Sequence, residues 1–175
     1  IKTNKELSKP MDLMNVGFVG VAGSSGGDTG ATRGVLMGGY SGLSTMDYIT
    51  IATTGDATSF GTLSPSNNYG AGVCSETRGV TGGGVGGGQN GRMDYITIAT
   101  TGNSTSFGTL SVVRYGLGGL NSDTRGVFCG GNDNSLRNVI DYITIATTGN
   151  ATDFGNDTGS YYPQAGLNSD TRGIL

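Results

Sequence analysis

Nine residues, Asp-Tyr-Ile-Thr-Ile-Ala-Thr-Thr-Gly, recur unchanged at residues 47–55, 94–102 and 141–149, and both steps are 47 residues. A fixed period of this length marks a stacked repeat, in which each unit buries its faces against its neighbours. The copied segment reads as a strand. Tyr48, Thr50 and Ala52 fall on one face, and Ile49, Ile51 and Thr53 on the other. Tyr, Ile and Thr suit a pleated surface. Neither face is strongly charged, so both are expected to be covered. The segment is short, β-branched and ends in Gly55, Gly102 or Gly149, which argues against an amphipathic helix.

The residues around the strand share its period. Gly-Asp at Gly55 and Gly-Asn at Gly102 and Gly149 are read as tight hairpin turns that use positive φ at glycine. A short return strand follows, with one aromatic core anchor in each unit: Phe60, Phe107 and Phe154, again 47 apart. Upstream, Thr-Arg-Gly opens each unit, with Arg33, Arg78, Arg125 and Arg172 stepping by 45, 47 and 47. An apolar run and a glycine pair come next, Gly38-Gly39 and Gly130-Gly131, with Gly82-Gly83 taken as a degenerate middle copy. This run reads as a buried inner strand, where glycine permits close backbone approach. The segments at 69–77, 115–124 and 162–171 share Tyr, Gly and a polar turn such as Asn-Ser-Asp. They are read as the outermost strand and the passage to the next unit.

The order Arg, apolar strand, Gly-Gly, variable loop, Asp-Tyr strand, turn and aromatic resembles the kelch repeat of β-propellers. The resemblance runs from about Arg33 to Leu175. Kelch units usually carry a late Trp, and this chain has none; Phe60, Phe107 and Phe154 would take its place. The resemblance implies an all-β, kelch-like propeller of about four units, complete or part of a larger ring. A β-trefoil or β-prism is the alternative fold. The near-verbatim unit ending Thr-Gly-Asn-Ala-Thr-Asp-Phe-Gly also resembles repeats in virion structural proteins of tailed bacteriophages, which implies a virion location; secretion is the alternative.

One dominant repeat in 175 residues implies one repeat domain, residues 15–175, after a basic N-terminal segment, residues 1–14, with Lys2, Lys5 and Lys9. Residues 15–31 and 172–175 are expected to complete one blade together, removing free edges. Both ends also suggest a processed protein or a portion of a longer one. Glycine, 35 residues, is far above the usual ~7%. It has no collagen triplet period, and the strict strand spacing argues against disorder. A net charge of −3 disfavours nucleic acid, and no apolar run reaches the ~18 residues of a membrane helix.

Chemistry is sparse. The chain has no histidine, which removes Ser-His-Asp and Cys-His catalysis and the commonest general base. It also removes the imidazole copper ligands of kelch-type oxidases. Two cysteines, Cys74 and Cys129, do not make a usual zinc site and are read as small buried hydrophobes rather than a disulfide. Asp47, Asp94 and Asp141 recur with the repeat and are read as structural, like the repeated arginines. Those arginines are expected to bind backbone carbonyls or a neighbouring Asp, with Arg125 on a repeat carboxylate. Asn132, Asp133, Asn134 and Asp28 offer oxygen ligands but no full calcium-loop spacing, so exposed turns are expected. No catalytic residue, metal or cofactor is expected.

The loops after the Gly-Gly pair and before each late Tyr differ between units. A constant scaffold with variable loops is the arrangement of a binding surface. Tyr40, Tyr69, Tyr115, Tyr161 and Tyr162 are the candidate stacking residues for sugar rings or protein. The expectation is a non-enzymatic structural and recognition module of a phage virion: tail fibre, baseplate or capsid surface. Its expected partners are host-surface glycan or protein, other virion proteins, or copies of itself. A purely structural self-assembling protein and a secreted lectin-like propeller are the alternatives.

Overall fold

The computed structural model describes residues 18–19, 33–39, 43–86, 88–162, 166–169 and 171–174. The basic segment 1–14 and Tyr40 lie outside the described residues. The fold is all-β, with no helix among the described residues and therefore none long and apolar enough to cross a membrane.

Among the described residues fourteen strands make antiparallel sheets, each a simple up-and-down meander. In the first unit β2 (Arg33–Met37), β3 (Thr45–Thr50) and β4 (Thr58–Thr62) pair in order, and the two-residue strand β1 (Phe18–Val19) joins at the β2 edge. The second unit is β5 (Ala71–Cys74), β6 (Arg78–Gly82), β7 (Arg92–Thr97) and β8 (Thr105–Thr109). The third is β9 (Gly118–Asn121), β10 (Arg125–Cys129), β11 (Val139–Thr144) and β12 (Thr152–Asn156). A two-stranded start of a fourth unit follows, β13 (Leu167–Asn168) with β14 (Gly173–Ile174).

The first strands of the units lie beside one another, β1 by β5, β5 by β9 and β9 by β13. Segments 71–74 and 118–121 are therefore the inner edges, not the outermost strands that the sequence suggested. Backbone approaches closely there. A Cβ at Gly119 would strike the Gly72 carbonyl oxygen, and one at Gly166 the Gly119 carbonyl oxygen. Glycine recurs at 72, 119 and 166 because a side chain would hold the units apart. Among the described residues the expected joint blade from the two ends is not seen: β1 pairs with β2 of its own unit, and Gly173–Ile174 with β13.

The copied nonapeptide makes a shorter strand than expected. It ends at Thr50, Thr97 and Thr144, and the chain turns at once, with the Thr53, Thr100 and Thr147 amides donating to those residues' carbonyls. Gly55, Gly102 and Gly149 thus lie beyond the hairpin turn and are absent from the positive-φ glycines. The middle glycine pair is also intact. Gly83 (φ 66°) and Gly84 (φ 109°) match Gly38-Gly39 and Gly130-Gly131 in position and conformation. Gly82 instead stands where its relatives have Met37 and Cys129. A Cβ there would meet the Phe128 ring at 2.9 Å, so the small residue admits an aromatic from the next unit.

The second sheet presents one face to the preceding unit and the other to the following one. Val35, Met37, Met46 and Phe60 of the first unit pack with Cys74, Ile96 and Ile98 of the second. Val80, Met93 and Phe107 of the second pack with Phe128, Ile143 and Ile145 of the third. Ile96, Ile98, Ile143 and Ile145 are at most 3% exposed. Covering such a side chain stabilises the fold by about 1.5–3 kcal/mol. In the first unit the same positions, Ile49 and Ile51, are 39% and 46% exposed, so the expectation that both faces are covered fails there. Phe154 is likewise 55% exposed, against 3% for Phe60 and 4% for Phe107. Among the described residues β13 and β14 of the fourth unit leave it uncovered.

Candidate functional site

Meander topology gathers the variable connections at one end. The second strand of each unit finishes there and the third begins; the fourth finishes there and the next unit's first begins. The loops at 63–70, 83–91, 110–117, 130–138 and 157–162 therefore share that end. They bind one another through short bridges, Asn68 with Val85 and Tyr115 with Asn132. Neighbouring units are tied through side chains: Asn67 Nδ2 donates to the Gly83 carbonyl at 2.6 Å, and Gln89 Nε2 to Asn134 Oδ1 at 3.2 Å.

Three of the five candidate tyrosines meet in this loop cluster as a ladder. Ring centroids lie 6.2 Å apart for Tyr69 and Tyr115 and 6.1 Å apart for Tyr115 and Tyr162. The Tyr162 hydroxyl is 3.3 Å from that of Tyr115. The first pair meets edge-to-face and the second at a tilt, so the rings are used on each other. Only Tyr162, at the end of the ladder, is exposed; it packs over Gly116, where a Cβ would run into its ring. Tyr161 is half-buried and lies off the ladder, its carbonyl accepting from the Gly131 amide at 3.1 Å.

The repeated carboxylates serve this end unequally. Asp141 is fully buried, with Arg114 Nη1 at 2.7 Å and the Ser111 hydroxyl at 2.5 Å. Arg114, also fully buried, donates in addition to the carbonyls of Gly130 and Phe128. Asp94 takes Arg92 instead, at 2.6 and 2.8 Å; burial pushes its carboxyl up, and Arg92 opposes this. Asp47 is only half-buried, and no ion pair reaches it among the described residues. Asp133 in the loop is held below the usual carboxylate range by its hydrogen bonds to Arg137. Burial raises the two free thiols, Cys74 to about 11 and Cys129 to about 12, so both are inert small hydrophobes at neutral pH. No cluster of three potential metal ligands occurs among the described residues.

The arginines opening each unit lie away from the loops. Their guanidinium groups sit over tyrosines, Arg33 on Tyr48 at 4.6 Å, Arg78 on Tyr95 at 4.3 Å and Arg125 on Tyr142 at 4.5 Å. Each Tyr meets its unit's Phe edge-on at about 6 Å. Arg33 also donates to the Ile98 and Ala99 carbonyls of the next unit (3.2 and 2.8 Å), and Arg78 to those of Ile145 and Ala146 (3.1 and 2.9 Å). The expected carboxylate partner for Arg125 is not found among the described residues. A cation stacked on an aromatic ring needs no carboxylate. Arg172 is exposed between β13 and β14.

Sequence reading missed Arg114, and the asparagines that join units. Asn103 and Asn150 each accept from the backbone and hydroxyl of the preceding unit's Thr62 or Thr109. Asn121 Oδ1 accepts from the Cys74 amide, and Asn168 Oδ1 from the Asn121 amide. Their signal was the 47-residue spacing of the asparagines themselves. Arg114 has no repeat partner and left none.

No protein-family model matches the chain. No curated protein is similar to it.

Proposed function

We propose that the chain is a kelch-like propeller segment acting as a non-enzymatic structural and recognition module. Strands that pair only within their own meander, with the first strands side by side, support a propeller arrangement over a β-trefoil or β-prism. The observation that carries the recognition reading is the convergence of the described variable loops at one end of a constant scaffold, around a ladder that ends in exposed Tyr162. Aromatic rings flanked by Asn, Ser and Gln side chains suit sugar rings, which offer a flat apolar face and a polar edge. The repeated acids are engaged in holding the scaffold together, as Asp141 is by Arg114. The setting that fits is a phage virion, in a tail fibre, baseplate or capsid surface, with host-surface glycan as the ligand.

The test is binding to host-type surface polysaccharide with soluble sugars as competitors. Competition that is lost in Tyr162→Ala supports the reading. Adsorption that no sugar displaces favours the second reading, a purely structural self-assembling protein. The observation behind that second reading is the pair of uncovered outer faces on the first and third units.

A further inference from the structure

The two internal junctions follow one plan, and the third unit presents the same plan with nothing on it. At the first junction the Gly102 amide donates to the Phe60 carbonyl (2.8 Å) and the Ser104 amide to the Thr62 carbonyl (2.9 Å). At the second, Gly149 donates to Phe107 (2.9 Å) and Ala151 to Thr109 (2.8 Å). Asn103 or Asn150 caps the edge, and Arg33 or Arg78 reaches across to two carbonyls. The outer strand also carries a glycine whose Cβ would collide with the incoming carbonyl, Gly102 against Gly61 and Gly149 against Gly108.

Every component of that plan stands in the third unit. Arg125 lies over Tyr142, and Phe154 is exposed. Gly155 occupies the place of Gly61 and Gly108, with nothing within 4 Å of the position its Cβ would take. Between this face and the fourth unit's beginning lies an open cleft of about 420 Å³, bordered by Val127, Cys129, Ile140 and Phe154. Strands β13 and β14 already fill the first two positions of a fourth meander, so a whole second copy with its own β1 and β2 does not fit. Among the described residues the fourth meander shows these two strands and no third or fourth.

We infer that this face binds a β-hairpin of the repeat's own third and fourth strands, carried by a polypeptide segment with the Ile-Thr-Ile-Ala-Thr-Thr-Gly-Asn pattern. Its two isoleucines fill the cleft as Ile143 and Ile145 do at the preceding junction. Its Ile and Ala carbonyls receive Arg125, and its Gly-Asn pairs with the Phe154 carbonyl and the Asn156 amide. The binding is strand addition to an exposed sheet edge. The face lies apart from the variable loops, so it stands whether or not they bind a glycan.

The probe is a labelled peptide of residues 138–158, titrated into the whole chain and followed by fluorescence anisotropy. Saturable binding is expected, weakened about tenfold or more by Arg125→Ala in the protein or by Asn150→Ala in the peptide. Binding that neither change weakens overturns the proposal. Because an isolated hairpin is marginal in water, the same segment is also joined after Leu175. The Asn156 amide should then become protected from hydrogen exchange. Absence of both peptide binding and this protection would likewise overturn it.

Discussion

Arg33, Arg78 and Arg125 hold one position in three units and share one stacking partner type, yet only the first two reach carbonyls of a following unit. Their periodic spacing announced a structural role, and backbone carbonyls were among the expected partners; which carbonyls was hidden, because those of Ile and Ala carry no mark in a sequence. Arg114 was illegible for the opposite reason. It occurs once, and its worth comes from being fully buried against Asp141, a pair whose rupture costs about 3–5 kcal/mol. Asp157 shows the reverse case, a carboxylate whose Oδ2 is buried without a hydrogen-bond partner. Burial raises its carboxyl above the usual range, and the nearby Tyr161 hydroxyl only partly opposes this. The unfolded chain therefore loses this proton at a lower pH than the folded one, and stability falls as pH rises between the two values. Asp157→Asn should raise the thermal midpoint at pH 7 and change it little at pH 3, as thermal unfolding at the two values will show.

The strand carrying the nonapeptide was legible from its β-branched alternation, and its two faces do take different neighbours. Its end was not. Glycine followed by Asn looked like a hairpin turn, but the chain turns three residues earlier and spends Gly102-Asn103 on the neighbouring unit's edge. A short-range rule misread residues whose job is long-range. The return strand gives the clearest comparison, because the same Thr-x-Phe-Gly segment is covered in one unit and bare in another. Phe107→Ala should destabilise the chain by about 3–5 kcal/mol, as for a buried aromatic. Phe154→Ala should cost well under half of that, and urea unfolding of the two variants checks the difference.

Across the whole molecule, stability comes from a chain of nearest-neighbour junctions, as expected for a repeat protein. The sequence's period conveyed the units and their number; it did not convey which unit covers which, since identical residues such as Ile49 and Ile96 differ only in what precedes them. The loop end was legible as variation between units, whereas the tyrosine ladder needed the fold to bring residues 46 or 47 apart into contact. Each unit is completed by the next, and among the described residues both outer faces are open. Residue-resolved amide hydrogen exchange on the chain alone tests it, because equivalent positions act as internal controls. The Thr62, Thr109, Gly102 and Gly149 amides, each bonded across a junction, should exchange slowly. Asn156 and Gly55, their counterparts on the open faces, should exchange fast. Equal protection at Asn156 and Thr109 in the monomeric chain would contradict the account.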